Sequence, residues 1–239
     1  MIDVHLKKLR ARNEINAEEE AAIRDAVADT RTYRPDEIVV RAHQPTSQCT
    51  MLLKGIMGRY KDLKSGERQI TELHVAGDFA DLHSFTLKVL DHNVLALTAC
   101  TAALVPHHKV RAITERYPHL TRIFWFQTNL DAAIHREWEV SLGRRTALQR
   151  LAHLFSELQA RLAIVGLADE SGFELNLTQS EIAECTGLTS VHVNRTLREL
   201  RERGLVEHRG GRVVIHDCRG LATAAEFDPS YLYLGPRED

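Results

Sequence analysis

Apolar positions along the chain change their spacing twice. Residues 3–13 and 17–29 follow a helical period, the second segment opening with Asn16 as a cap and acids at Glu18 to Glu20. From Thr32 to about Val105 the texture shortens. β-prone runs at 38–40, 51–53, 69–71, 94–97 and 103–105 alternate with turn signals at Pro35-Asp36, Gly55, Ser65-Gly66 and Gly77-Asp78. Closely spaced strands with glycine-rich turns predict a compact all-β sandwich or barrel. Pro106 closes that region, a short helix is expected over 107–116, and Pro118 stands where a helix start tolerates proline. The pattern over 119–142 is then unbroken, a helix of about 36 Å at about 1.5 Å per residue. Leu120, Ile123, Phe124, Gln127, Leu130, Ile134 and Trp138 line one side of it near heptad spacing. A stripe this rich needs a partner, either the chain's own domains or a second copy. The second copy is the expected one, with these seven residues as the dimer interface, because one helix-turn-helix reads only half of a site.

Residues 146–166 form another amphipathic helix, with Leu148, Leu151, Leu154, Phe155, Leu158 and Leu162 inward. A glycine- and acid-containing loop is expected over 167–174. The next stretch, LTQSEIAECTGLTSVHVNRTLRELRERGLV (177–206), reads as two helices around a tight turn. Thr178 and Glu181 have capping-box spacing, Gly187 supplies the unhindered turn, and Thr189 or Ser190 caps the second helix. Val193, Leu197 and Leu200 face inward. Ser190, Val191, Asn194, Arg195 and Arg198 face outward, a set of side chains suited to base edges in a major groove. Thr186 and Thr196 stand where fully apolar packing residues are expected. The segment is a helix-turn-helix by spacing, and a helical hairpin with solvated arginines is the plainer alternative.

Two β-prone runs joined by Gly210-Gly211 follow, a hairpin whose tip carries Arg209 and Arg212. Between Ser190 and Val213 the arginines 195, 198, 201, 203, 209 and 212 outnumber the glutamates 199, 202 and 207, although the whole chain has a formal net charge of −2. Local charge, not the total, sets affinity for DNA phosphates. Other classes recede. There is no apolar leader at the N-terminus, the longest apolar run (94–105) is too short to span a bilayer, and a cytoplasmic location is expected. Cys49, Cys100, Cys185 and Cys218 are scattered, which predicts free thiols. His107, His108, His119, His135 and His153 match no metal spacing, so no metal site is expected. No hydrolase, metalloprotease, phosphate-loop or dinucleotide fingerprint is present, so the chain is not expected to be an enzyme.

The reading-head stretch TQSEIAECTGLTSVHVNRTLRELRERGLV and the segment KGIMGRYKDLKSGERQITELHVAGDF resemble the Crp/Fnr family, the cyclic-AMP receptor protein and its relatives. The resemblance spans almost the whole chain. It implies an α+β fold: a cyclic-nucleotide-binding-like β-roll (jelly roll) over 1–117, a dimerisation helix over 118–142, and a winged helix-turn-helix domain over 143–239. It implies a homodimeric regulator of transcription that binds double-stranded DNA, with RNA polymerase as a further partner. Thr178, Gln179, Thr189 and His192 would touch phosphates; Ser190, Val191, Asn194 and Arg195 would face bases, with Arg198, Arg209 and Arg212 supporting them. Val191 departs from the family, many of whose members carry a glutamate there, so their TGA-containing half-site is not expected.

The sensor half departs further. Cyclic-nucleotide binders place a glutamate where Leu82 stands and an Arg-Ser pair where His92-Asn93 stand, so cyclic AMP is not the expected ligand. No cysteine lies in residues 1–48, against the iron–sulfur sensors of the family. Asp78, Phe79, Asp81, Leu82, His83, Ser84, His92 and Asn93 nevertheless gather polar, titratable groups in an apolar roll. Three readings stay open for them: a solvated loop, a pocket for a small effector, or haem ligation. Two other functions also stay open, a roll whose head binds protein and a catalyst using a cysteine or histidine.

Overall fold

A computed structural model describes residues 1–236, and the chain packs as two units: Met1–Lys61 with Leu73–Ala132, and Asp62–Glu72 with Ala133–Leu234. The first unit opens with helices α1 (Asp3–Arg10) and α2 (Ala17–Ala26), the latter begun by a capping box between Asn16 and Glu19. Strands β1 (Asp29–Tyr33), β2 (Ile38–Val40), β3 (Gln48–Lys54), β4 (Met57–Asp62) and β5 (Arg68–His74) come next along the chain, residues 62–72 counting with the second unit. A single-turn helix α3 (Ser84–Leu87) precedes β6 (Asn93–Ala96) and β7 (Cys100–Pro106). The strands form two antiparallel sheets, ordered β1-β7-β3 and β2-β6-β4-β5.

Period-two alternation sends each strand's side chains to two different cores. On β3, Leu52 points into the inter-sheet core with Tyr33, Met57, Val94 and Ala96. Its neighbours Cys49 and Met51 point the other way, into a cluster with Leu6, Ile23, Val110 and Phe124. On β7, Cys100 and Ala102 face inward while Ala103 and Val105 meet the helices. The helices α4 (His107–Arg116) and the first half of α5 (Pro118–Arg144) thus cover one outer face of the roll. Strand β1 is absent from the expected set because Asp29-Thr30-Arg31-Thr32 are exposed and polar; pairing with β7, not burial, makes it a strand.

The second unit holds α6 (Ala147–Ile164), α7 (Gln179–Thr186), α8 (Ser190–Glu202), α9 (Cys218–Ala225) and a 3-10 turn, Pro229–Leu232. Its sheet runs β10 (Val206–Arg209), β11 (Arg212–Ile215), β9 (Gly172–Glu174), β8 (Ala168–Asp169). The stretch 167–174 is therefore a small hairpin rather than a loop. Gly172 makes it possible: its φ is +132°, and a Cβ there would sit 1.9 Å from the Val213 carbonyl oxygen.

The long helix corrects the reading of its stripe. Leu120, Ile123, Phe124, Gln127, Leu130, Ile134 and Trp138 are all buried within their own chain, none more than 8 % exposed. Trp138 donates its Nε1–H to both carboxylate oxygens of Glu157, at 3.1 and 3.2 Å. Heptad spacing says that a helix face is covered; it does not say by which chain. The exposed residues of α5 form a second line, from Trp125 (68 %) through Asn129, Ala132 and Arg136 to Val140 (49 %).

Candidate nucleic-acid interface and sensor pocket

Sequence dictates the head's geometry cap by cap. Thr178 Oγ1 accepts the Glu181 backbone N–H at 3.2 Å, and Glu181 Oε2 accepts the Thr178 N–H at 2.6 Å and its hydroxyl at 2.7 Å. This closed box fixes where α7 begins. It also commits the Thr178 hydroxyl, so that residue shapes the head and has no hydroxyl hydrogen left for a phosphate. Gly187 ends α7 in the left-handed region (φ +61°), and Leu188 donates its N–H to the Ala183 carbonyl. Thr189 then caps α8 by accepting the His192 N–H at 3.3 Å.

Helix α8 splits into the two expected faces. Val193 and Leu200 are fully buried, and Thr196 is buried with them while Leu197 is only partly covered. Thr186, the other threonine at an apolar position, donates its hydroxyl to the Ile182 carbonyl at 2.7 Å, so its burial leaves no unmade bond. On the outer face Ser190, Val191, His192, Asn194, Arg195 and Arg198 are all exposed, Val191 at 77 %. Gln179 at the start of α7 reaches this face, its Oε1 accepting the Asn194 Nδ2–H at 3.4 Å.

The arginines divide by their partners. Arg203 pairs with Glu199, Arg201 with Glu207 at 4.0 Å, and Arg212 with Glu174 at 2.9 Å. Among the described residues Arg195, Arg198 and Arg209 pair with no carboxylate. The two on α8 and the one at the wing tip therefore keep their full charge for an anion outside the chain. The wing is a two-residue turn with Gly210 (φ +61°) and Gly211 (φ +77°), the backbone that matches the twist of paired strands.

Residues 149–224 match the Crp-like helix-turn-helix domain family, and residues 30–117 match the cyclic nucleotide-binding domain family. The nitrogen fixation regulation protein FixK of Bradyrhizobium diazoefficiens is 31% identical over 200 residues, covering 81% of this chain and 81% of that protein. The chain belongs to the Crp/Fnr family of transcription regulators. The transcriptional activator protein FnrL of Cereibacter sphaeroides is 27% identical over 82% of this chain and 80% of its own length. The solved structure of FixK2 from Bradyrhizobium japonicum superposes with a TM-score of 0.75 at 25% identity, covering 83% of this chain and 97% of that one. Members of this family regulate transcription and are not enzymes, and among the described residues no helix is long and apolar enough to cross a membrane.

In the regulator's first unit the eight gathered residues divide: Asp78, Phe79 and Leu82 line one small cavity with Lys8, Gln127, Leu130 and Asp131, and the other five lie outside it. Asp78 is a bracket: it accepts the Val75 N–H at 2.9 Å and pairs with Lys8. Phe79 stands edge-on to His5 and Phe124. Asp81 is fully buried and accepts the Thr50 N–H at 2.5 Å; burial pushes its carboxyl up to about 7. Ser84 Oγ lies 3.6 Å from Cys49 Sγ and 3.1 Å from His107 Nε2. Asn93 accepts the Ala42 N–H at 2.9 Å. His92 holds Asp91 at 2.9 Å and faces His83 at 3.4 Å, and burial, with Arg59 nearby, lowers its pKa.

Of the eight, Leu82 and His83 line another cavity, which measures about 350 Å³. Its other walls are Phe85 and Thr86 of α3, Val110 and Thr114 of α4, and Thr121, Phe124, Trp125 and Thr128 of α5. Spacing of 121, 125 and 128 places those three on one helical face, but two threonines and an exposed tryptophan give no apolar signal.

Proposed function

We propose that the regulator reads double-stranded DNA in the cytoplasm as a homodimer, presenting two helix-turn-helix heads to a twofold site and acting on RNA polymerase there. The observation that carries the reading is the outer face of α8. Asn194, Arg195 and Arg198 are exposed there, neither arginine is paired with a carboxylate among the described residues, and Val191 stands among them as an apolar contact. Arginine forks onto guanine, asparagine pairs with adenine, and a valine methyl suits thymine. Val191 accepts nothing from cytosine, so the operator differs from one read through a carboxylate at that position. FixK and FnrL carry names of regulators, which supports the same role.

One head reads one half-site, and family members are dimeric, so the second copy is expected to pair through α5. The exposed line Trp125, Asn129, Ala132, Arg136, Val140 is the face open to it. Control by a small effector other than cyclic AMP is consistent with Leu82 and His92 at the ribose and phosphate positions of the cyclic-nucleotide binders.

Selection of genomic DNA fragments by the purified full-length protein, followed by footprinting, tests the reading. A symmetric site with half-sites about 10 base pairs apart, centre to centre, or a multiple of that, is expected. Absence of any enriched sequence, with and without cell extract, would overturn it.

A further inference from the structure

Past α9 the chain carries Tyr231-Leu232-Tyr233-Leu234, a run that neither the helix-turn-helix nor the wing includes. Tyr231 ends on Glu157 of α6. That carboxylate is fully buried, and a buried charge is costly unless donors surround it. Three elements of the second unit supply them. Trp138 of α5 donates its Nε1–H to both oxygens, and Arg161 donates at 3.0 Å from the next turn of α6. The Tyr231 hydroxyl donates to Oε2 at 2.7 Å. Burial, with the Glu157 charge beside it, pushes the Tyr231 pKa up, so the hydroxyl keeps its proton and stays a donor.

Packing holds the tyrosine in place. Its ring stacks on His153 of α6 with centroids 6.1 Å and planes 14° apart, and Phe227 stands edge-on to both rings. Leu232 beside it is wholly buried, and Asp228 starts the turn by accepting the Ser230 N–H at 2.9 Å. The tail is therefore part of the packed head, and its tyrosine bonds to the carboxylate that joins α6 to α5. Between those helices the link is short: Arg145 and the capping Thr146 separate Arg144 from Ala147. Backbone dihedrals in such a link are soft, so side chains that cross the junction set its angle. Trp138, Glu157 and Tyr231 make such a crossing. In a dimer paired through α5, that angle sets how far apart the two heads stand. We infer that Tyr231 is a positioning residue for DNA reading: through Glu157 and Trp138 it fixes the angle at which the head leaves α5, and so the half-site spacing a dimer accepts. The inference rests on the dimeric reading proposed above.

The test measures binding of the full-length protein to duplexes carrying its selected half-sites, with the spacer between them changed one base pair at a time. The parent is expected to prefer one spacing. Tyr231→Phe keeps the ring and removes the hydroxyl. It should lower that preference about tenfold, the worth of a hydrogen bond to a charged group, while base preferences inside each half-site stay as they were. Trp138→Phe removes the donor on the α5 side, so it should act alike, and the double variant should add little beyond either. Val165→Ala, at the far end of α6 from the link, is the control: it lowers the melting temperature and should leave the spacing profile intact. Cys218 on α9 gives a second readout, because it is exposed while Cys49, Cys100 and Cys185 are buried. A spin label there should report a narrow head-to-head distance in the parent dimer and a broad one in Tyr231→Phe, without DNA. The inference falls if the dimeric variant keeps the spacing preference or the narrow distance, if Val165→Ala reproduces the loss, or if base preferences inside the half-site change instead. A parent that sediments as a monomer, or selects no symmetric site, removes the dimeric reading itself, and that result is seen before any variant is made.

Discussion

Arg195 shows how a single side chain divides the work of this protein. It is exposed, without a carboxylate partner among the described residues, and one turn beyond Val191 on the outer face of α8. Arg195→Ala should cost about 1–3 kcal/mol of specific DNA binding while leaving non-specific binding nearly intact. Competition between operator and random duplex measures the difference; equal losses on both would demote Arg195 to a phosphate contact. Asp81 makes a different prediction, about stability. Its carboxyl, ordinarily near 3.8, is raised to about 7 by burial. Between those values the folded chain keeps a proton that the unfolded chain has released, so stability falls as pH rises and the loss is complete above about 7. Asp81→Asn keeps an acceptor for the Thr50 N–H without the charge. It should raise the melting temperature at about pH 8, with a gain that shrinks steadily towards pH 4. A gain of equal size at both ends would mean the asparagine helps for some other reason. At this scale the sequence was readable for α8, where exposure follows spacing. It was not readable for Asp78, Asp81, Ser84 and Asn93, whose side chains are spent on brackets to residues far along the chain.

Elements bounded by local chemistry were legible, and elements made by pairing were not. α7 and α8 begin at the threonines that cap them, and α7 ends at Gly187 in the left-handed region. β1 is polar and exposed over its first four residues, β8 is only two residues long, and both exist because β7 and β9 pair with them. The wing combines both causes. Gly210 and Gly211 each have positive φ, but only Gly211 is also crowded: a Cβ there would lie 1.9 Å from Asn176 Oδ1. Gly210→Asn should therefore be tolerated, since asparagine accepts the left-handed region and nothing lies within 4 Å. Gly211→Ala meets both strain and collision and should cost about 1–3 kcal/mol. Thermal melts of the two variants check this, and salt-dependent DNA binding should fall for Gly211→Ala because Arg209 loses its position at the tip. Equal melts for both would show that the Asn176 side chain moves aside freely.

For the whole molecule the decisive question is which face of α5 meets a second copy. The stripe found by periodicity, Leu120 to Trp138, is already covered by its own chain. Ile134→Asp would bury a charge at a position 2 % exposed and would unfold the protein rather than separate two copies. The exposed line is the better target. Ala132 lies midway between Trp125 and Val140, with Asn129 and Arg136 on either side of it. In a parallel pair of helices each such residue faces its own copy across the twofold axis. Ala132→Glu would then set two carboxylates against each other at close range, while in a single chain it would only add one more solvated charge. The variant should melt like the parent at low protein concentration, sediment as a monomer, and lose footprinting of a full site while retaining weak, salt-sensitive affinity for duplex DNA. A dimer that survives Ala132→Glu, and likewise Val140→Glu, would place the pairing surface elsewhere.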